Sequence, residues 1–495
     1  MHYDPIRTLA HQMAGGYRLP GNQSPQTLQV YRGGAQHALL VEAQQEVDEC
    51  RGVEGGAGGV VQAVAGVGGE VQACESVSMS KRVTSILGAG AVLDFDFEGE
   101  LLPSTANITR KVVGQTIQGL DGEESDLIKQ VYDKIVETSR SEYLRMHPAV
   151  RNYTPSISFE DVFDVIETLH SYSGTWKHEQ YPFPLISALV KSDFDYPSVD
   201  YYRAMIAIVE KIIEIVRGYD NQFRENGRET WYKDFWKEFR GELDVFNLNY
   251  DTSIEYSLHD FNDGFVGFTQ DYERFEPEVL WNAGEGQPTV SHLHGCYLYG
   301  DFNPKPVENY YSHRDLYKLY SGQEPFISRQ WLPMNQVGEG LFYSPIITGL
   351  KKTDKICFLP HSYYHAYLAK RIIDNPSLLI CGYSFGDLYV NQLLQRHKLI
   401  HDQNERVVIV DRWADYANVD NVSLYRYFVD KTSGGLREFV MRLTESGSDT
   451  LEAFTKFKQV SDGCWESPNG ALLLYTKGLK YAVESHTQQI IDFLL

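Results

Sequence analysis

The sequence holds no apolar run long enough to span a bilayer. Its longest helical candidate, Tyr201 to Arg217, carries Arg203, Glu210, Lys211, Glu214 and Arg217, and is too short and too charged for a hydrocarbon core ~30 Å thick. Residues 1–20 lack a basic stretch followed by an apolar run, so no secretory leader is expected. Basic residues are in deficit: 45 Lys and Arg stand against 67 Asp and Glu, a formal charge of −22. A chain so acidic does not bind bare DNA or RNA by displacing counterions, which leaves room only for a local basic patch or for a partner that itself binds nucleic acid. Cysteine is scarce, with six residues at 50, 74, 296, 357, 381 and 464. None form a C-x2-C pair and no histidine stands beside them at zinc-finger spacing, so no metal is expected. Free, mostly buried thiols in a reducing cytosol are the expectation.

Residues 1–78 contain no Lys, Phe or Trp, yet hold the runs Gly55-Gly56-Ala57-Gly58-Gly59 and Ala65-Gly66-Val67-Gly68-Gly69. So few large apolar groups do not offset the entropy of ordering the backbone. The expectation is a low-complexity segment, disordered or an upstream extension foreign to the native product, with Met79 as the natural start. Beyond it the composition changes. The chain is 42% hydrophobic with 33 Tyr and 24 Phe, enough for a large core and aromatic packing.

From Met79 the pattern is α/β. Short apolar runs at Val83–Leu87, Leu243–Leu248, Thr289–Leu293, Leu378–Cys381 and Val407–Val410 suit parallel strands buried on both faces. Between the first two lies a helical stretch at about 120–240. There Phe159–Tyr172 and Tyr201–Arg217 show helical periodicity, and Trp231, Phe235, Trp236 and Phe239 form a stripe better suited to core or a buried interface than to a cofactor. Residues 296–345 read as loop-rich, 361–373 as a helix, and 446–495 as a C-terminal helical appendage to a domain spanning 79–445.

Several of these strands close on polar or glycine-rich clusters, the place where open parallel sheets bind ligands. Val83–Leu87 runs into Gly88-Ala89-Gly90, where absent side chains let backbone N–H groups approach a phosphate, although a structural turn reads the same way. Leu243–Phe246 leads to Asn247-Leu248-Asn249-Tyr250-Asp251-Thr252, able to orient a water or ribose hydroxyl, or simply to turn and cap a helix. His292-Leu293-His294-Gly295 places two histidines two residues apart, and strand geometry would face them the same way. For them, metal ligation, acid–base work and plain packing all stand as readings. Gly382-Tyr383-Ser384-Phe385-Gly386-Asp387 is a second glycine junction, with Ser384 and Asp387 able to bond phosphate or ribose and Asp387 also placed to cap the next helix. It lacks the G-x-S-x-G of a nucleophile elbow. Val407–Val410 closes on Asp411, a place where an acid often holds an adenosine ribose.

Taken in order, GAG…NYD…HxHG…GYSFGD resembles the sirtuin (SIR2-like) superfamily, in particular the bacterial SIR2-like proteins of anti-phage defence, over roughly residues 82–415. Ser344-Pro345-Ile346-Ile347-Thr348-Gly349-Leu350-Lys351-Lys352, His361 to Tyr367 and Asn391 support it. The resemblance implies a Rossmann-like parallel sheet with helices on both faces, a large helical insertion and the C-terminal appendage. It implies NAD as substrate, with Gly88, Ala89 and Gly90 at the pyrophosphate and Asn249 and His294 catalytic. Asp251 would lie near the nicotinamide ribose, Gly382, Ser384 and Asp387 at the second nucleotide turn, and Asp411 on the adenosine side. Two departures stand out: Val92 occupies a position where sirtuin loops usually carry Ser, and the two C-x2-C pairs of the deacetylase zinc ribbon are missing. The implied activity is therefore NAD+ hydrolysis in the cytoplasm by an antiviral effector, a homo-oligomer or one that answers a partner or phage-derived trigger, with no membrane or direct nucleic-acid role. A deacylase or ADP-ribosyltransferase is the second reading, and a non-catalytic NAD or ADP-ribose sensor the third. Keeping both Asn249 and His294 favours catalysis over sensing.

Overall fold

Each of the five apolar runs forms a strand whose interior residues have no route to water. In a computed structural model they are β1 (Val83–Leu87), β2 (Leu243–Asn247), β5 (Thr289–His292), β8 (Ser377–Cys381) and β9 (Arg406–Val410), and every residue is buried except the first of β9. The structure describes residues 82–96, 104–114, 122–173, 198–227, 229–258, 260–284, 286–301, 315–320, 342, 344–349, 352–412, 420, 424, 439–440 and 456–495. The expectations for residues 1–78 lie outside them.

These strands belong to an eight-stranded sheet of order β10-β11-β12-β9-β8-β1-β2-β5. Pairing is parallel from β12 (Leu472–Tyr475) across to β5, and antiparallel for β10 (Lys458–Ser461) and β11 (Cys464–Glu466) at the far edge. Register aligns the carboxyl ends: Leu87 sits opposite Asn247 and Cys381, Asn247 opposite His292, and Cys381 opposite Val410. The residues that follow therefore emerge along one rim. The chain runs outward from central β1 to β2 and β5 on one side and to β8, β9 and β12 on the other. That reversal opens the crevice where doubly wound sheets take ligands.

Both faces are covered. Alternation sends Ile86, Phe246, Ile380 and Ile409 into one core and Leu87, Val245, Leu379 and Val408 into the other. The first core is built against α1 (Thr105–Gly114), α2 (Gly122–Met146), α3 (Phe159–Ser173) and α4 (Ser198–Asn226), with α9 (His361–Asp374) and α10 (Leu388–His401). Helix α3 opens on a reciprocal cap, Ser158 N–H donating to Asp161 Oδ2 at 2.7 Å and Asp161 N–H to Ser158 Oγ at 3.3 Å. The second core takes α5 (Thr230–Lys237) and α11 (Leu479–Leu494). The aromatic stripe is internal there, with Phe235, Trp236 and Phe239 buried. Helices α5 and α11 pack on one another.

Two features depart from the sequence reading. The 296–345 stretch is not only loop: β6 (Tyr299–Asp301) and β7 (Leu316–Leu319) join β3 (Phe265–Gly267) and β4 (Tyr272–Phe275) in a second, antiparallel sheet of order β3-β4-β7-β6. The C-terminal segment is more than a helix, since its three strands extend the main sheet before α11 packs back over it. Of the described thiols, Cys296, Cys381 and Cys464 are buried and Cys357 is exposed. Among the described residues no helix is long and apolar enough to cross a membrane.

Candidate functional site

The two glycine turns meet at the crevice. Gly382 N–H donates to Val410 O at 2.8 Å, Gly88 N–H to Cys381 O at 2.9 Å and Gly90 N–H to Gly382 O at 2.9 Å. A methyl at Gly88 would stand 2.6 Å from Gly382 O, and one at Gly90 2.6 Å from Gly382 Cα. The glycines thus let one turn seat directly on the other. This corrects the simple cradle: the N–H groups of Gly88 and Gly90 already have carbonyl partners, and Ala91 N–H donates to Gly88 O at 2.9 Å. Ala89, at the tip, is exposed. The loop that remains open to a ligand is its outer surface, with Ala89 in front.

Asn249 joins this turn from the β2 side. Its Nδ2 donates to Gly88 O at 3.1 Å, and its own N–H donates to Asn247 Oδ1 at 3.0 Å. The half-buried side chain keeps Oδ1 without a hydrogen bond among the described residues. Asp251 takes a different part from the one expected beside the ribose. It is fully buried, and its carboxylate accepts from Ser253 N–H at 3.0 Å, from the Ser253 hydroxyl and from Tyr219 Oη at 3.3 Å. Burial, with Asp220 nearby, pushes it up to about 6. It fixes the start of α6 (Ser253–Ser257) from beneath.

The two histidines do not face the same way. Strand β5 ends at His292 and the chain turns at Leu293 and His294, so strand alternation stops before His294. Gly295, at φ +87°, completes the turn, and a methyl there would fall 2.1 Å from Pro345 O. His292 points inward: Nε2 meets Glu255 Oε1 at 2.7 Å and Nδ1 lies 3.3 Å from Asn249 O. Burial alone would lower His292 and raise Glu255. Their mutual attraction outweighs it, raising the imidazole and lowering the carboxyl, so the pair is ionic. It braces the Asn249 backbone. Glu255 was not read from the sequence; its only local signal, Thr252-x-x-Glu255, spells a capping box, whereas the side chain crosses to β5. Glu255, His292 and Cys296 also hold three ligand atoms within 4.8 Å of one another, the one set among the described residues with metal-binding composition. The direct His–Glu bond and the Lys318 ammonium, close enough to favour ionised Glu255, make it an ion pair as it stands.

His294 points the other way, toward the rim. Its Nε2 lies 2.9 Å from Asp387 Oδ2, and both side chains retain some exposure. Ile347 N–H donates to His294 O at 2.7 Å and Tyr250 Oη to Ile347 O at 3.3 Å, so the 344–349 strip ties the two arms together.

The Gly382–Asp387 loop carries left-handed residues at both Gly382 (φ +58°) and Phe385 (φ +56°), the second costly for a side-chain-bearing residue. Ser384 is exposed at its tip. Asp387 caps α10 as its sequence position suggested, Oδ1 accepting from Val390 N–H at 3.0 Å. With Oδ2 on His294, both oxygens are engaged, which differs from the expected contact with ribose or phosphate. Asp411 leaves β9 on the same rim, half-buried, its Oδ1 accepting from Arg412 N–H at 2.8 Å.

The rim thus collects Gly88–Gly90, Asn249, His294, Gly382, Ser384 and Asp411 from five loops, with Asp251 and Asp387 serving as supports. Residues 244–427 match the family model of the SIR2-like domain. No curated protein matches the chain. The matched span begins on β2 and covers Asn249, His294, the Gly382–Asp387 loop and Asp411, while the Gly88 turn precedes it. On the fold, the rim and that match, residues 244–427 carry a SIR2-like domain, a family with NAD-related activity.

Proposed function

We propose that the protein is an NAD+ glycohydrolase. It cleaves the nicotinamide–ribose bond to give nicotinamide and ADP-ribose, and acts as an anti-phage effector that depletes NAD+. The observation that carries the reading is the meeting of an asparagine amide and a histidine with two interlocked glycine turns at the switch point of a parallel sheet. Nicotinamide departs as a neutral group from a cationic ring, taking the C1′–N electron pair, so the leaving group needs little acid assistance. The site's work is to orient a water and stabilise positive charge on the ribose. Asn249 Oδ1, unengaged while Nδ2 holds Gly88 O, is suited to accept from that water. As the water oxygen bonds to C1′, His294 takes its proton and later releases it to solvent. One positioned base contributes roughly 10²–10⁴-fold.

The missing C-x2-C pairs support hydrolysis over deacylation, because the acyl-lysine cleft lacks its usual supporting module. An enzyme that consumes NAD+ must be restrained, which supports regulation by self-association or a trigger. The exposed Leu388, Tyr389, Leu399 and Ile400 of α10 give such contacts an apolar surface. The test is to incubate the purified chain with NAD+ and follow nicotinamide and ADP-ribose. Free ADP-ribose, abolished by Asn249→Ala or His294→Ala, supports the reading. Acyl- or protein-linked ADP-ribose, or binding without turnover in the presence of phage-infected lysate, overturns it.

A further inference from the structure

His294 reaches the protein through one ring nitrogen. Nε2 lies 2.9 Å from Asp387 Oδ2, while Nδ1 makes no hydrogen bond among the described residues and is not sealed from solvent. Asp387 is held from several directions. Its Oδ1 accepts from Val390 N–H at 3.0 Å, and its N–H donates to Tyr383 Oη at 3.2 Å. Tyr383 Oη in turn lies 2.9 Å from Asn391 Oδ1, and Asn391 Nδ2 donates to Phe385 O at 2.7 Å. The carboxylate is therefore fixed by the first turn of α10 and by the strained loop before it. Burial alone would raise Asp387, but its bond to His294 and the helix-start N–H hold it well below the usual carboxylate range. An ionised carboxylate only accepts, so the proton in this bond sits on Nε2.

We infer that Asp387 is the positioning residue for His294, holding the ring as the Nε2–H tautomer and leaving Nδ1 as the nitrogen that takes up a proton. The assignment of Nδ1 as base rests on the hydrolase reading; the tautomer does not. In the reaction, the proton lost by the attacking water goes to Nδ1, and the resulting imidazolium is stabilised by the carboxylate on Nε2–H. Asp387 itself stays ionised. The arrangement also couples the two halves of the crevice, because the β5 turn carries the base and the β8 loop carries its orienting group.

Asparagine and serine cap helices about as well as aspartate, so Asp387→Asn and Asp387→Ser retain the start of α10 while removing the carboxylate. An asparagine amide can donate to Nε2 and so favours the opposite tautomer. With 15N-histidine protein, long-range 1H–15N correlation reports the tautomer, and the signal of His294 is the one lost in His294→Gln. The expected result is an Nε2–H ring in the wild type that changes in Asp387→Asn, with kcat reduced roughly 10²–10⁴-fold and KM for NAD+ retained. An Nδ1–H ring in the wild type, or a tautomer and kcat both unaltered in Asp387→Asn, would overturn the inference. A wild type that never turns over NAD+ in any condition defeats the hydrolase reading, and the spectrum still decides the pairing.

Discussion

Replacing Gly382 by alanine should open the seam between the two glycine turns. Gly382 has φ +58°, and a methyl built on it falls 2.2 Å from Ala91 N and 2.2 Å from Gly90 C. Both are backbone atoms and neither swings aside as a flexible side chain would. Carbon contacts are comfortable only near ~3.5–4.0 Å, so one turn must move by more than an ångström. The left-handed backbone adds ~1–2 kcal/mol for any residue with a Cβ, and forced overpacking ~1–3 kcal/mol. Together the cost is ~2–5 kcal/mol, and it falls where Gly88 O receives the Asn249 amide. Urea unfolding followed by tryptophan fluorescence should show a lower midpoint, and NAD+ turnover should fall further than stability alone explains. Gly386→Ala is the control, because its methyl meets only Ser384 Oγ at 3.4 Å in the same loop. Gly88→Ala should add little to Gly382→Ala, since both break one contact. A Gly382→Ala protein as stable and active as the wild type would refute the interlock, as would equal damage from Gly386→Ala.

Asp164 gives a pH prediction. Burial, with Glu160 and Glu167 beside it, raises it from 3.8 to about 8. The folded chain then holds a proton that the unfolded chain releases, so the contribution of Asp164 to stability is full below about pH 4 and is lost as pH rises toward 8. At ~1.4 kcal/mol per unit the loss amounts to a few kcal/mol; Asp164→Asn should flatten it and raise the unfolding midpoint at pH 8, and an unchanged slope would contradict the reading. Asp244 is fully buried and takes Arg82 on both oxygens, at 3.0 and 2.9 Å. Asp244→Ala should therefore cost roughly 3–5 kcal/mol in denaturant titration, with NAD+ binding per folded molecule unaltered. Glu255→Gln removes the counter-charge of His292 and frees the Asn249 backbone, so kcat should fall while the Gly88–Gly382 seam, read by hydrogen exchange, persists.

The sequence was most legible where a residue's environment was uniform. A strand buried on both faces reads as a continuous apolar run, and Val83–Leu87 matches β1 residue for residue. Leu472–Tyr475 carries the same signal inside a tail whose remainder reads as helical, and it pairs with β9 like any inner strand. The small sheet was hidden because its strands are short and half-exposed, as in Tyr272–Phe275. Within the site, motif order identified the rim but not the direction of each side chain. Period-two reasoning failed at His294 because the strand ends at His292. Asp251 looked like a ligand group because an acid beside an asparagine is equally a cap, and only packing against Tyr219 shows which face it takes.

The placement of β1 has a consequence for synthesis. Its neighbours are β2 on one side and β8 on the other, and the Gly88 turn is complete only when Gly382 rests on it. A chain growing on the ribosome exposes the Gly88 turn early, yet must wait for most of its length before that partner emerges, and longer still before β12 covers the open flank of β9. Pairing so distant in sequence is slow to form. The nascent chain therefore cannot bring the two glycine turns together until Gly382 and the strand ending at Val410 have emerged.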